Sequence, residues 1–583
     1  MILPANTEHS FTFALIECCS TIFAMTIAFC FPRVASSQFS YVESKLRILA
    51  RKQGLAVAVS GAAVLVLRLA LLPLFPVPLP FVHDDFSFLL AADTFASGRL
   101  TNPTPAMWAH FESFHITMNP SYMSMYFPAQ GLLLAASKVL FGHPWVGILI
   151  VDALMCAALC WMLQAWLPPT WAFLGAMLAV LRLGLFSYWI NTYTGGGFIA
   201  ALGGALVLGS LPRLLRNVRL RYALLLAVGA VILATSRPYE GFLLCLPVSL
   251  YLGRWLLFGK NRPSLAVVCR CAVLPVLLLI TAGAWMGYYD YRVFGKPLTL
   301  PYTLNRATYA VVPYYVWQSA RPEPAYRHAV MRDFYTEVET RTVKESHSIS
   351  GYLSFAAKKV VLSLSFYSGF ALFIPLIMLR RVFLDRRIRF LVVCVLIVAA
   401  GMAIENFLIP HYLAPFTAAF YAIGLQAMRH LRTWTPFGQP IGVASVRSAV
   451  LLCFVLAIVR ICYQPLHLSV PQWPVTEWAA MWYGPDHYGT ARTQIQQQLE
   501  MLPGKQLVMV RYSSGHNSLE EWVYNSADID NSKIIWAREM SAADNASLLR
   551  YYHDRNIWLV QPDLHTGKLS AYQSPDSSTA FGQ

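Results

Sequence analysis

Two adjacent carboxylates, Asp84 and Asp85, follow a histidine in Phe81-Val-His-Asp-Asp-Phe-Ser-Phe-Leu-Leu-Ala-Ala-Asp-Thr-Phe-Ala-Ser-Gly-Arg99. Carboxylates beside an imidazole are candidates for proton transfer. Next to lipid they are costly unless paired, hydrogen-bonded or used. Acids in a first helical turn also cap the helix and complement its dipole, for which one acid is enough. Glu112 and His115, in Trp108-Ala-His-Phe-Glu-Ser-Phe-His115, line either a polar groove or an ordinary loop. With His110 they offer metal-ligating atoms, but their irregular spacing matches no ligand pattern. Arg237 opens Arg237-Pro-Tyr-Glu240, where a guanidinium either grips a phosphate bidentately or snorkels beside Glu240. His411 and Tyr412 begin another apolar run in Pro410-His-Tyr-Leu-Ala-Pro415. Tyr193 lies in Tyr188-Trp-Ile-Asn-Thr-Tyr-Thr-Gly-Gly-Gly197, whose aromatic faces suit a sugar or an aromatic belt.

The elements that must hold these residues are apolar. Runs long enough to cross a bilayer recur near 11–31, 54–75, 145–166, 170–188, 195–211, 221–236, 240–258, 267–289, 354–379, 390–407, 411–428 and 447–463. The first lacks a basic segment before it, which favours an anchor with its N-terminus outside over a cleaved signal. Pro73, Pro76, Pro78 and Pro80 end the second helix just before the acidic pair. Phe86, Leu89, Leu90 and Phe95 then recur at helical spacing, with Gly98 as C-cap. The stretch 127–141 is short, starts near Pro128 and is broken by Gln130, Gly131 and Lys138, so it predicts an interfacial helix. Asp152 and Arg182, both inside spans, are expected to form a structural pair.

The composition fits this pattern: 57% of the 583 residues are hydrophobic and 13% charged. Lys and Arg number 45 against 29 acids, a surplus of 16. The segments 32–53, 212–221, 254–270, 380–389 and 429–447 contain 21 basic residues and two acids, more than the whole surplus. The positive-inside rule places these five in the cytoplasm and excludes a nucleic-acid groove as the meaning of the charge. The loops 76–144 and 290–353 and everything after about 464 then lie outside. The eleven cysteines sit in or beside apolar runs and form no disulfide or zinc framework.

The acidic pair, the interfacial helix and the later Phe127-Pro-Ala-Gln-Gly131 resemble the GT-C superfamily of integral-membrane glycosyltransferases, which use polyprenyl-phosphate-linked sugars. Phe86-Ser-Phe-Leu-Leu-Ala-Ala-Asp-Thr-Phe95, Phe141-Gly-His-Pro-Trp145 and Ser236-Arg-Pro-Tyr-Glu-Gly241 are similar to the protein-mannosyltransferase-like bacterial branch, over residues 50–463. The resemblance implies transfer of a sugar to a lipid, glycan or protein acceptor at the extracytoplasmic face. It makes Asp84 the base, with Asp85 orienting it, binding sugar or aiding a metal. Arg237, His411 and Tyr412 would meet the donor phosphate, and Glu112, His115 and Tyr193 the acceptor or sugar. The resemblance fixes no cofactor and leaves a divalent cation open. Two departures stand out: an Asp-Asp pair where Asp-Glu is usual, and Met125 and Phe127 where a Lys and a Pro are common.

The chain is thus expected to be an all-α polytopic membrane protein of about twelve spans, GT-C-like, with a small extracytoplasmic α/β domain. Residues 1–53 form an anchor and cytoplasmic linker, 54–463 the transmembrane domain and 464–583 the α/β domain with a frayed end. In that last part, Leu507–Val510, Ile534–Trp536 and Ile557–Val560 read as strands, with helices near 518–526 and 543–553. A bacterial inner membrane is the expected location, with both termini outside, lipid as surroundings and no nucleic-acid partner. A secondary transporter or lipid flippase, or a non-catalytic membrane scaffold, shares the composition. A transporter would carry more charges deep in its spans than Arg68 and Glu405 and would show an internal repeat.

Overall fold

The computed structural model describes residues 8–344, 348–463, 489–564 and 568–573. The apolar runs fall largely on helix. Among the described residues, seven helices are long and apolar enough to cross a membrane: Gln53–Ala70, Trp145–Trp166, Pro169–Asn191, Gly197–Arg216, Pro238–Phe258, Leu265–Phe294 and Ile441–Cys462. Leu220–Ser236 and Arg389–Ala403 are apolar but shorter. The chain is an integral membrane protein with a small C-terminal sheet domain.

Helix Gly197–Arg216 lies centrally, against Trp145–Trp166, Leu220–Ser236 and the 3₁₀ turns Pro410–Phe416. Small residues permit this approach. A Cβ on Gly204 would strike the Pro415 carbonyl, and Gly203 faces the Gly229 backbone. Leu265–Phe294 instead presents Leu274, Leu277 and Ile280 outward. The stretch read as 354–379 is helical only over Ile349–Tyr367 before breaking into turns. Helix Pro169–Asn191 widens into π turns at Val180–Leu185, which puts Arg182 and Tyr188 on faces a regular helix would not give.

The buried charges correct one expectation. Arg182 does not pair with Asp152; its Nη1 lies 3.4 Å from Glu17 of the first helix, and Nη2 donates to the Ser365 carbonyl. Asp152 faces the charge of Arg68. Arg68, fully buried, donates to the carbonyls of Phe75 and Pro76 and to Asn191. The proline-rich exit from the second long helix is therefore held by a guanidinium that satisfies carbonyls no helix can use.

The loop between Gln53–Ala70 and Trp145–Trp166 holds helix His83–Ala96, a short helix Trp108–Phe111, and a hairpin of β1 (Ile116–Thr117) and β2 (Met123–Ser124). Helix Pro128–Phe141 follows, too short to span, with proline at its start and Gly142 closing it in the left-handed region. In the C-terminal domain β3 (Lys505–Val510) pairs in parallel with β4 (Ile534–Arg538) and β5 (Arg555–Val560), while β6 (Ser570–Ala571) joins β5 antiparallel. The three expected strands are present, as is a helix at Ala542–Tyr551. The expected helix near 518–526 is irregular instead, because Glu521, Trp522 and Asn525 direct their hydrogen bonds to other segments. Thr490–Met501 adds a helix not read from sequence. Most of 564–583, where fraying was expected, lies outside the described residues.

Candidate active site

The proline-stiffened segment reaches Val82 in an extended conformation, and helix His83–Ala96 begins with both acids in its first turn. The two carboxylates point to different partners. Asp85, fully buried, accepts hydrogen bonds from the Phe81 backbone (3.3 Å), the Tyr193 backbone (3.0 Å) and the Thr194 hydroxyl (2.6 Å). It ties the first loop to the turn 192–196, and burial pushes its pKa up to about 7.

Asp84 gathers three donors on one oxygen. Its Oδ1 accepts from the Tyr126 hydroxyl at 2.6 Å, from His83 Nδ1 at 3.1 Å, and from His115 Nδ1. Burial raises the carboxyl, but the two imidazoles beside it override this and hold it well below the usual carboxylate range. Burial lowers the His115 pKa, partly opposed by Asp84, which keeps the ring neutral. His115 adopts φ 56°, the left-handed region, rare for a residue with a side chain. Its carbonyl is fixed there by the Ser87 hydroxyl at 2.7 Å and the Met125 amide at 3.0 Å. The fold thus holds a strained residue so that its ring meets Asp84. His83 packs between Phe114 and Phe334, and its Nε2 is buried with no partner among the described residues.

The cationic side is built around Gly195 and Gly196, both with positive φ. A Cβ on Gly195 would run into the His411 ring, and one on Gly196 into Gln130. Arg237, between helices Leu220–Ser236 and Pro238–Phe258, donates to the Gly195 carbonyl at 2.9 Å and covers the Tyr412 ring at 4.8 Å. His411 Nδ1 meets the Tyr188 hydroxyl at 2.8 Å. Gln130 donates to the Tyr193 carbonyl. Arg237, His411 and Tyr412 therefore converge on one turn, the turn Asp85 fastens to the acidic loop. Tyr126 and Tyr302, in edge contact at 5.6 Å, join the two sides. They line a narrow cavity with Phe127, Gly195 and Arg237. At about 10 Å³ it holds one water-sized group, so a phosphate reaching Arg237 must displace aromatic side chains.

Other sequence candidates lie apart. Tyr193 contributes its backbone, and its ring is buried. Glu112 faces a separate cavity. His110 Nδ1 donates to the Arg538 carbonyl of the C-terminal domain at 2.9 Å. Met125 and Phe127 are buried, Phe127 at the cavity by Arg237. Tyr126 stands between those two departures, which is the one hint of it in the sequence; Tyr302 and Thr194 carry no local signal.

His83, Asp84 and His115 offer two imidazole nitrogens and a carboxylate oxygen within 4.8 Å of one another. The donor set suits a zinc-type ion rather than magnesium. The Nδ1 atoms of both rings already meet Asp84 Oδ1, while His83 Nε2 has no partner among the described residues.

No family model and no curated protein matches the chain. Among solved structures it is similar to ArnT from Cupriavidus metallidurans in the apo state, at 12% identity and a TM-score of 0.45, covering 90% of this chain and 94% of that one. It is also similar to the Archaeoglobus fulgidus oligosaccharyltransferase complexed with Zn and sulfate, at 11% identity and a TM-score of 0.44 over 78% of this chain. A further structure of that archaeal protein, with an inhibitory peptide and a dolichol-phosphate, gives 11% and 0.43. The chain spans 60% of the length of the first archaeal structure.

Proposed function

We propose that the protein is a membrane glycosyltransferase that moves a sugar from a polyprenyl-phosphate donor to an acceptor hydroxyl at the extracytoplasmic face. The observation that carries this reading is the Asp84 cluster itself. An ionised carboxylate and a neutral imidazole, held by a strained backbone and by Tyr126, share a tyrosine-lined wall with a buried arginine. Proton removal and anion stabilisation are the two tasks of inverting transfer from a sugar phosphate. The acceptor hydroxyl loses its proton to the Asp84–His115 pair as its oxygen bonds to the anomeric carbon. The bond from that carbon to the phosphate oxygen breaks, and Arg237 neutralises the departing phosphate, with His411 and Tyr412 beside it. The polyprenyl chain stays in the bilayer, which accounts for a site at the end of the helical bundle. Asp85 positions the phosphate-facing turn.

The test is sugar transfer, or release of polyprenyl phosphate, in membranes containing the protein. Asp84→Asn and His115→Gln are each expected to lower turnover about 10²–10⁴-fold, the range of general-base catalysis, while the protein stays folded. Full turnover in both folded variants would refute the assignment. Movement of lipid across the bilayer with no covalent transfer would point to a flippase.

A further inference from the structure

The second cavity is about 130 Å³ and lies between residues 108–119 and 305–331; none of its lining residues is shared with the cavity at Arg237. Trp108 and Tyr326 supply aromatic surface, and Glu112, Thr117, Asn119 and Asn305 supply polar groups. Several of those groups have unused capacity. Thr117 Oγ1 is buried with no partner among the described residues. Glu112, 3% exposed, accepts from the Tyr309 hydroxyl at 2.7 Å through Oε1. Its Oε2 lies 3.6 Å from His328 Nε2, which donates instead to the Ala109 carbonyl at 2.8 Å. A buried polar group without a partner is costly, so such a set is matched to a ligand that both donates and accepts.

We infer that this cavity is a saccharide subsite taking a neutral pyranose ring of the acceptor. At about 130 Å³, against roughly 150 Å³ for a cavity that admits benzene, it takes the six-membered ring itself, and the outer substituents of a hexose extend beyond it. Ring hydroxyls pair with Thr117, Glu112 and the amides, while C–H faces rest on Trp108 and Tyr326. A cationic ligand is disfavoured: Arg327 lies 3.6 Å from Glu112 and over the Trp108 ring, and Arg538 adds further positive charge. The cavity adjoins the Asp84 cluster through an aromatic wall. Met331 lines it, and Phe114 and Phe334 of the same apolar cluster touch His83. For a neighbouring unit of an acceptor glycan to reach Asp84 from here, the buried rings of Phe114 and Phe334 must move aside. The word acceptor rests on the transferase reading above; the binding of a pyranose does not.

Saturation-transfer NMR on the detergent-purified full chain tests this, with D-glucose, D-galactose and N-acetyl-D-glucosamine as probes. Transfer to the ring protons of at least one is expected, reduced fivefold or more in Trp108→Ala and in the volume-conserving Thr117→Val. Transfer to none of the three, or equal transfer in folded Thr117→Val, overturns the subsite. Added undecaprenyl-phosphoglucose should leave the signal in place; displacement assigns the cavity to the donor and overturns the acceptor role. Asp84→Asn should bind the sugars as the wild type does. Sugar binding in a wild-type protein that fails to transfer supports the subsite and refutes the enzyme reading alone.

Discussion

Three donors on one carboxylate oxygen set the chemistry of Asp84. Hydrogen bonds to the ionised form lower a carboxyl's pKa, so removing one raises it. Tyr126→Phe is expected to shift the acidic limb of the pH–rate profile upward and to cost about 10–100-fold in turnover, in line with a charge-assisted hydrogen bond of roughly 1.5–3 kcal/mol. An unmoved limb would separate Tyr126 from the base. The sign follows from the required state: Asp84 ionised and His115 neutral, so activity falls as acid protonates the pair and is regained as pH rises. Asp84 and His115 were both legible as residue types in a polar loop. Their contact was not, because it depends on a left-handed backbone at a non-glycine position that no local pattern announces. The partners of Asp85, the Phe81 and Tyr193 amides and the Thr194 hydroxyl, were not legible either, since two of them lie in a turn more than 100 residues away.

At the scale of elements, Asp85 ties together two loops 108 residues apart. Its carboxyl has a pKa of about 7 in the fold against about 3.9 unfolded. The folded state thus holds the proton more tightly, and the unfolded chain carries fewer protons between these values. Stability from Asp85 is complete below the unfolded value and is lost as pH rises through about 7. Asp85→Asn should flatten this part of the decline in thermal midpoint from about pH 4 to 7; an unchanged decline would place its cause elsewhere. The turn at the other end of the tie needs glycine. Gly195→Ala meets both a φ of 82° and the His411 ring. A cost of about 1–3 kcal/mol is expected from the backbone alone, and the donor KM should rise as Arg237 loses its carbonyl partner. A wild-type KM would mean that the turn does not set the phosphate contacts. The three glycines at 195–197 were visible in the sequence as a turn, but not the ring and amide they admit.

Across the whole molecule, hydropathy reveals the helices but not their partners. Twelve apolar runs mark where helices form; the pairing of Arg182 with Glu17 rather than Asp152 depends on a π-widened helix and a 165-residue separation. Two of the five basic segments meet, Arg432 and Arg447 of one both bound to Glu43 of the other. The C-terminal domain, whose strands were legible but whose role was not, packs on the loop that carries Asp84 and His115. Arg538 at the end of β4 pairs with Glu521 at 2.6 Å and donates to the Glu112 carbonyl at 2.8 Å. Ser113 donates to the same Glu521 carboxylate at 2.6 Å, and the Glu521 amide donates to Phe81. Arg538 and Glu521 are both buried, their side chains 3% and 1% exposed. Breaking such a pair strands a charge and costs about 3–5 kcal/mol, whereas replacing both partners by apolar groups is far milder. Arg538→Met should therefore lower the thermal midpoint and turnover together, by loosening the segment 110–116 that places His115. Arg538→Met with Glu521→Leu should recover most of the midpoint, yet leave turnover low, because Ser113 and the Glu112 carbonyl still lack their partners. Recovery of both in the double variant would mean that the domain supports the fold without positioning the site.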